Sequence, residues 1–490
     1  MRLRSTTLHH LPEGTAQPSY NRDTLKPGIL HLGVGAFHRA HQAYFTDRYL
    51  AEFGGDWGIV GGDLRSGRVR DQLDPQDGLY SLVIRDNEQA HIQIMGALIA
   101  ELVGPDDPHY AIDLMADEQI KIVSLTVTEK GYCHDPATGN LNLEHPEIQY
   151  DIANLHTPKS TPGFIVAGLK KRKEKGLKSF TLLSCDNLPN NGDVLQKVIL
   201  QFAEQVDSEL AAWIRENTTF PCTMVDRIVP ATTEDDKAWL EAKLGMRDEA
   251  MVIGEPFIQW VIEDKFCNDR PAWEKVGALL VDDVTVYEHM KLRLLNGSHS
   301  LLAYTGYLSG FNTINEVMAQ PAFVNMCRIF MDREAGLVVE EPTGFDIQHY
   351  KQQLRDRFAN SGLKHRTWQI AMDGSQKLPQ RLLSSLRDQL GGEKQIDIIC
   401  LAVAAWIRYV SGVDEKGEAI DVRDPLAGQL REICDAAKGD AKQMVADIVG
   451  VEKIFGTDLK SETQFVERTV HWLESIYAKG TLATVQENFG

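Results

Sequence analysis

The sequence lacks the long apolar segments and the cysteine patterns that mark several large classes of protein. No apolar run is long enough to cross a bilayer, and the first residues do not form the basic and then apolar segment of a secretion signal. The seven cysteines are scattered, and no two of them are spaced as a CxxC pair. We therefore expect a cytoplasmic protein that has neither a disulfide framework nor a metal site.

Positive charge is also scarce. The 51 lysines and arginines are outnumbered by 70 aspartates and glutamates, which gives a formal net charge of −19. Such a surface repels phosphate groups, so neither a nucleic acid nor an anionic membrane is expected as a partner. The apolar content of 43% is typical of a globular protein, and 490 residues exceed one ordinary core, which predicts two or three domains.

The pattern of apolar residues changes near residue 280. Residues 28–190 alternate short apolar runs with helical stretches, which is the βα pattern of a parallel sheet. Long helical stretches dominate the rest of the chain. They are predicted at residues 284–308, 321–332, 396–410, 424–438, 440–450 and 461–477.

The first apolar run ends in a glycine turn that is followed by a helical stretch. In this context the first glycine permits the turn, and the second lets the backbone approach a pyrophosphate at the helix N-terminus. The third glycine of the usual fingerprint is replaced by His38, so an ordinary βα turn remains the alternative. The residues expected to line a dinucleotide are those of the turn: Gly33, Val34, Gly35, Ala36 and Phe37.

The second strand, predicted at residues 57–63, ends in a residue placed to bind the ribose. Asp63 lies 30 residues beyond Gly33, and a carboxylate there accepts from both ribose hydroxyls and repels a 2′-phosphate. Arg65 follows closely and could instead bind a 2′-phosphate. NAD is therefore the expected cofactor and NADP the alternative.

These features define one fold prediction. We predict an α/β protein in which residues 1–280 form a Rossmann-type, doubly wound dinucleotide-binding domain. Residues 281–490 form a mostly α-helical domain for substrate binding and catalysis. The active site is expected in the cleft between the two domains.

Polar residues follow directly after two further predicted strands, at residues 120–127 and 179–184. Glu129 follows the first of these strands and Asn187 the second. Ligands of open parallel sheets sit beyond the carboxyl ends of the strands, so both side chains are candidates for chemistry. Asn and Gly are also ordinary turn formers, which is the alternative reading of both segments.

The first predicted helix of the C-terminal domain carries a lysine, an amide and an imidazole. With an α-helical step of about 100° per residue, Lys291, Asn296 and His299 lie within one arc of about 140°. Such a set offers a proton-transfer group and donors for a developing oxyanion. Gly297 is costly in mid-helix, and close approach of a ligand to the backbone is one explanation. The alternative is a surface lysine and a packed histidine at a helix break.

One C-terminal segment is basic against the acidic background. Residues 361–382 contain four basic residues and a single acidic one. Pro379 suits the first turn of a helix, which predicts Lys377 at a helix N-terminus, where an anion would be favoured. A solvated basic face is the alternative. The four basic residues are Lys364, Arg366, Lys377 and Arg381.

Six segments in one order resemble the long-chain mannitol dehydrogenase family, a family of metal-independent polyol and sugar-acid dehydrogenases. The resemblance extends from about residue 28 to residue 480. The matching segments are residues 33–41, 124–133, 184–189, 224–228, 255–257 and 291–299.

The resemblance implies a role for each candidate residue. Lys291 matches the catalytic lysine, which exchanges a proton with the substrate oxygen, and Asn187 and Asn296 match the amides that stabilise this oxygen. His299 matches the residue that aligns the substrate hydroxyl. Substrate contacts are implied at Glu129 and Asp226. The acidic pair of NAD-preferring mannitol 2-dehydrogenases is replaced here by Gly67-Arg68, which leaves the cofactor preference open.

Within the family, residues 219–230, 290–293 and 365–381 most resemble the branch that acts on D-mannonate, a sugar acid. Such a substrate has a carboxylate, which we expect some of Arg366, Lys377 and Arg381 to bind. A mannitol or other polyol dehydrogenase, or an enzyme for the epimeric pair altronate and tagaturonate, is the alternative within the class. A dinucleotide-sensing protein without turnover is the alternative outside it.

Overall fold

The computed structural model describes residues 1–135, 138–342 and 344–490. The chain divides into two compact units, Met1–Thr285 and Val286–Gly490. None of the helices in these described ranges is both long and apolar enough to cross a membrane.

The strands of the described residues all lie in the first unit, and five of them form a parallel sheet in the order β5-β2-β1-β6-β7. The chain builds one half of this sheet outward from β1 and then returns to build the other half, which is the doubly wound arrangement. The strands are β1 (Pro27–Leu32), β2 (Gly58–Asp63), β3 (Tyr80–Asp86), β4 (Gln89–Met95), β5 (Leu98–Val103), β6 (Ile122–Leu125), β7 (Thr181–Ser184), β8 (Thr223–Asp226), β9 (Val252–Gly254), β10 (Gln259–Glu263) and β11 (Leu279–Val281).

Alternate residues of the central strands pack into two different cores, one on each face of the sheet. In β1, Leu30 and Leu32 belong to one core, whereas Ile29 belongs to the other. The same division separates Leu182 from Leu183 in β7. Both faces are therefore buried, which explains why the strands read as continuous apolar runs rather than as alternating patterns.

Two three-stranded sheets complete the first unit. They have the orders β4-β3-β9 and β11-β10-β8. The helices of this unit are α1 (Ala36–Ala40), α2 (Gln42–Phe53), α3 (Arg68–Leu73), α4 (Pro108–Met115), α5 (Thr128–Gly131), α6 (Pro146–Ala153), α7 (Thr161–Glu174), α8 (Asn191–Val206), α9 (Ser208–Asn217) and α10 (Glu234–Leu244).

All regular elements among the described residues of the second unit are helices, and the first of them begins at Thr285, the last residue of the first unit. Its core is organised by α19, of which every residue but the first and Arg408 is buried. The helices are α11 (Thr285–Met290), α12 (Gly297–Leu308), α13 (Ile314–Met318), α14 (Pro321–Ile329), α15 (Ile347–Ala359), α16 (Thr367–Ala371), α17 (Gly374–Leu378), α18 (Ser384–Leu390), α19 (Asp397–Val410), α20 (Ala427–Ala436), α21 (Ala441–Val449), α22 (Glu452–Phe455), α23 (Thr463–Lys479) and α24 (Thr481–Phe489).

Three π-helical segments interrupt long helical runs of the second unit: Lys291–Asn296, Phe330–Glu334 and Pro379–Leu383. A π segment bonds residue i to i+5, is rare in proteins and frequently occurs at functional sites. The predicted fold class, a Rossmann-type α/β domain with a mostly helical second part, is confirmed. The predicted strands at residues 120–127 and 179–184 correspond to β6 and β7, which are shorter.

Candidate active site

Gly33 occupies a position in the turn after β1 that only glycine can occupy. Its φ of +90° lies in the region that side chains disfavour, and its N–H donates to the Gly62 carbonyl at 2.7 Å. A Cβ on this residue would lie 2.4 Å from the carbonyl oxygen of Thr126, at the end of β6. The turn is therefore fixed by the close approach of two strand ends.

Gly35 has the opposite surroundings, because it is exposed and directly precedes α1. A Cβ there would meet nothing closer than the Gly33 carbonyl oxygen at 3.9 Å. The backbone at Gly35 is therefore open to the approach of a ligand, and the pyrophosphate site stays a prediction. Val34 is buried, while Ala36 and Phe37 are partly exposed.

The helix that follows the turn is not continuous. Residues 38–47 contain no proline or glycine and suit one helix, but α1 ends at Ala40 and α2 begins at Gln42. His41 lies between them with φ −126° and ψ −84°, and its Nε2 is 2.8 Å from the Gln259 carbonyl oxygen. This side-chain contact accompanies the break.

Asp63 ends β2, and its carboxylate is engaged in its own turn. Its Oδ1 accepts from the backbone N–H of Arg65 at 2.9 Å and of Ser66 at 3.0 Å. Arg65 forms a two-pronged ion pair with Glu147, in which Nη2 lies 2.9 Å from Oε2. The Glu147 carboxylate raises the pKa of the guanidinium. Arg65 is thus held by a carboxylate that the sequence did not single out.

Glu129 and Asn187 follow β6 and β7, as predicted, and both are solvent-accessible within the chain. Between them lies Asp186, which is buried and which accepts the backbone N–H of Thr128 at 2.8 Å. Asp226 is buried at the end of β8.

Lys291 and Asn296 are the first and last residues of a π segment rather than members of an α-helix. The step of about 100° used above is therefore wrong between them, because i→i+5 bonding changes the angle per residue. The side chains of Lys291, Asn296 and His299 are all buried. Asn296 Nδ2 and His299 Nε2 have no hydrogen-bond partner among the described residues, so both are available to a ligand.

His299 is surrounded by aromatic rings and positive charge. Its ring centroid lies 4.5 Å from that of Phe358 and 5.4 Å from that of His365. Burial lowers the pKa of His299 well below its usual value, and His365, Arg381, Arg357 and Lys291 lower it further. The imidazole is neutral at pH 7 and can donate or accept one hydrogen bond at Nε2.

The three predicted carboxylate-binding residues have different surroundings. Arg381 is buried, and its Nη1 lies 3.3 Å from Ser300 Oγ, one residue beyond His299. Lys377 donates to the carbonyl oxygen of Met372 at 2.6 Å. Arg366 is exposed. Of the three, the structure brings Arg381 to the surroundings of His299.

Lys377 lies in the first turn of a helical run, but not for the reason inferred from the sequence. The run begins at Gly374, and Pro379 lies inside it as the first residue of a π segment. The wider π register accommodates a proline that would break an α-helix. Gly297 also has an explanation other than a ligand, because a Cβ there would lie 2.8 Å from the Arg381 carbonyl oxygen.

Sequence reasoning missed Arg357 and His365 as neighbours of His299. Burial and the nearby cations lower the pKa of His365 to about 4. A signal for Arg357 existed, because it lies on the buried face of α15 beside Leu354 and Phe358. Burial of a charged residue on an apolar helix face costs free energy unless the charge is paired, so such a residue is a candidate for function.

One group of side chains in the described ranges has the composition of a metal site. The donor atoms of Cys133, His145 and Glu147 lie within 4.8 Å of one another. However, Glu147 is paired with Arg65, and His145 Nδ1 accepts the backbone N–H of Glu147 at 3.3 Å. Since these groups are already engaged by protein, the cluster does not support a metal centre.

Two family models match the chain along most of its length. Residues 27–275 match the mannitol dehydrogenase Rossmann domain, and residues 283–477 match the mannitol dehydrogenase C-terminal domain. The chain belongs to the mannitol dehydrogenase family. It is an oxidoreductase that acts on CH–OH groups with a nicotinamide dinucleotide.

Relatives with two different substrates are similar to this chain. The D-mannonate oxidoreductase of Escherichia coli is 46% identical over 92% of this chain and 93% of its own length. The uncharacterized oxidoreductase YeiQ of the same organism is 47% identical over 93% of both chains. The mannitol 2-dehydrogenase of Pseudomonas fluorescens, solved as a ternary complex with NAD and D-mannitol, is 39% identical, with a TM-score of 0.92 over 99% of both chains. The predicted family and enzyme class are confirmed.

Proposed function

We propose that the enzyme interconverts D-fructuronate and D-mannonate with NAD(H). The observation that carries this proposal is the pair of buried arginines around the neutral His299, Arg357 and Arg381. A sugar acid has a carboxylate, the group that a guanidinium binds with strong, charge-assisted hydrogen bonds. The similarity to the D-mannonate oxidoreductase supports the same substrate class.

Lys291 is proposed as the general acid and base. In oxidation it accepts the hydroxyl proton of the substrate at Nζ, and in reduction it returns this proton to the carbonyl oxygen. Burial and neighbouring positive charge are the two conditions under which a lysine can act as a base near neutral pH. The burial of Lys291, which is 7% exposed, and its place near the same imidazole as Arg357 and Arg381 support this proposal.

The amide and imidazole groups are proposed to hold the reacting oxygen. Asn296 Nδ2 is a buried donor that is available to a ligand, and Asn187 keeps the role that its family match implies. His299 Nε2 aligns the hydroxyl without taking its proton, because burial and the neighbouring cations make the imidazole a weak base. Fixed donors aimed at an oxygen that becomes alkoxide-like stabilise the transition state without reorganisation. The nicotinamide, when bound, exchanges a hydride with the substrate carbon.

Further residues are proposed to bind the substrate carboxylate and hydroxyl groups and the pyrophosphate and ribose of the cofactor. Arg381 is proposed as the main partner of the substrate carboxylate, with Lys377 and Arg366 in support, while Glu129 and Asp226 contact the hydroxyl groups. On the cofactor side, the turn at residues 33–37 holds the pyrophosphate and Asp63 reads the ribose. NAD is preferred over NADP, because Glu147 neutralises Arg65 at the position where a 2′-phosphate would bind.

Initial rates of NADH and NADPH oxidation with D-fructuronate, D-tagaturonate and D-fructose test this function. We expect the highest kcat/KM with D-fructuronate and NADH. A preference for D-tagaturonate would keep the carboxylate site but change the epimer. A preference for D-fructose would contradict the proposal.

The second candidate function is mannitol 2-dehydrogenase activity. It is favoured by the similarity to the P. fluorescens enzyme over 99% of both chains and by the exposure of Arg366. In that case the buried Arg381 would hold hydroxyl groups rather than a carboxylate. Near-equal rates with D-fructose and D-fructuronate would support it.

A further inference from the structure

The segment between Glu129 and the end of β6 contains a strained residue. Thr128 has a φ of +64°, in the left-handed region. Its branched Cβ makes this conformation unfavourable, and a residue of this type adopts it only where the surrounding structure imposes it. The conformation sets the direction in which the next residue, Glu129, leaves the sheet.

The group that imposes the conformation is the carboxylate of Asp186. Its Oδ1 accepts the N–H of Thr128 at 2.8 Å, and its Oδ2 accepts the N–H of Val127 at 3.2 Å. Both oxygens are thus bonded to two successive backbone donors of the loop. Asp186 is itself only 7% exposed, so water does not compete for these bonds.

A second layer of hydrogen bonds fixes Asp186. The Tyr132 hydroxyl lies 2.8 Å from Asp186 Oδ2 and 2.6 Å from Ser184 Oγ. Burial raises the pKa of Asp186 to about 6, although the bonds from Tyr132 and from the backbone act in the opposite direction. The carboxylate therefore bridges the ends of β6 and β7.

This bridge joins the two segments that carry the proposed chemistry of the first unit. Asp186 immediately precedes Asn187, and the backbone groups that it holds immediately precede Glu129. We propose that Asp186 is a positioning residue that fixes Glu129 and Asn187 relative to each other. The proposal rests on the roles given above to these two residues, but not on the identity of the sugar.

The variant Asp186→Asn tests the proposal. The amide offers one oxygen instead of two, and its nitrogen would face a backbone N–H, so one of the two loop donors loses its acceptor. We expect kcat to fall about 10- to 100-fold, because small misplacements of positioned groups have effects of this size. The affinity for NADH, measured by fluorescence, should change less than about twofold, which corresponds to about 0.4 kcal/mol.

Rescue distinguishes positioning from a general loss of stability. Glycine adopts φ near +64° without strain, so Thr128→Gly should restore at least about a fifth of the lost activity when combined with Asp186→Asn. Asp248→Asn is the matched control, because Asp248 is also buried and also accepts two backbone N–H groups, those of Ser81 and Ala250. It should lower the melting temperature with kcat unchanged.

Activity is measured with the substrate that the wild type turns over fastest, so an error in the proposed sugar does not affect the result. Hydrogen exchange of residues 126–132 is the second readout, and it does not depend on turnover. Faster exchange in Asp186→Asn, with the loss and rescue of kcat, is the expected result. Unchanged exchange, unchanged kcat, or an equal loss of kcat in Asp248→Asn would each overturn the proposal.

Discussion

Each unit of the molecule contains two histidines whose rings contact each other, and the two pairs have different surroundings. In the first unit, the rings of His31 and His38 stack at 3.4 Å. The two nitrogens of His31 lie 2.8 Å from Ser124 Oγ and 2.9 Å from Thr126 Oγ1. In the second unit, the rings of His299 and His365 meet edge to face at 5.4 Å, and cations surround them.

The difference separates a histidine that stabilises the fold from one that is available for chemistry. His31 has both nitrogens satisfied within the sheet, and burial alone lowers its pKa to about 3. His299 keeps Nε2 without a partner among the described residues, and positive neighbours reinforce the effect of burial on its pKa. A buried nitrogen without a hydrogen-bond partner, in positive surroundings, costs free energy unless a ligand forms the missing hydrogen bond.

Among the variants of the residues around His299, replacement of Lys291 should have the largest effect on kcat. We expect Lys291→Ala to lower kcat at least about 100-fold, because a positioned general acid and base contributes about 10² to 10⁴. The loss should be partly reversed by added primary amines, which replace the missing group. A loss below about tenfold, or 1.4 kcal/mol, would contradict the proposed role.

Paired substitutions of the two histidines address the comparison directly. His299→Asn should lower kcat about 10- to 100-fold, because a hydrogen bond to the reacting oxygen is lost. His31→Asn should instead lower the free energy of unfolding by about 1–3 kcal/mol, because two buried hydroxyl groups lose their partner. Steady-state kinetics and thermal unfolding of both variants separate the two effects. If His31→Asn has the larger effect on kcat, the comparison is wrong.

Replacement of Arg381 tests whether the positive surroundings of His299 bind the carboxylate of the substrate. Arg381→Gln should raise KM for the sugar acid about 10- to 150-fold and leave KM for D-fructose within about twofold, because a charged hydrogen bond contributes about 1.5–3 kcal/mol. Arg366→Gln is the control for an exposed arginine and should have a smaller effect. Equal changes in KM for the acid and the neutral sugar would assign Arg381 to hydroxyl binding.

The protonation of His31 should also make the free energy of unfolding depend on pH. The folded pKa of His31, about 3, lies below its unfolded value of about 6.5, so its stabilising contribution is present above pH 6.5 and is lost as the pH falls. The stability difference between wild type and His31→Asn should therefore shrink by about 2 kcal/mol between pH 7 and pH 5. The difference between the two proteins is the relevant quantity, since burial raises the pKa of Glu101 to about 8, which has the opposite effect on stability. An unchanged difference would show that His31 is accessible to protons in the folded state.

The sequence predicted what depends on local pattern and missed what depends on distant contacts. The turn at Gly33 follows from a strand, a glycine pair and a helix, all within about 20 residues. The angle between Lys291 and Asn296 could not be predicted, because a π segment has no sequence signature comparable to an apolar period. Asp186 became visible only when folding placed it beside Thr128. Arg357 is marked by its apolar helix face, but its place beside His299 depends on the fold.

Arg65 should give the smallest effect, because its pair with Glu147 lies at the surface, where an ion pair contributes about 0.2–1 kcal/mol. Glu147→Gln releases the guanidinium toward a 2′-phosphate, so the Kd for NADPH should fall by a factor of about 1.4 to 5, while the Kd for NADH stays unchanged. The double variant with Arg65→Gln should lose this gain. If NADPH binds equally to both single and double variants, Arg65 does not face the 2′ position. The cofactor preference then depends on Asp63 alone, whose carboxylate is already held by the backbone N–H groups of its own turn.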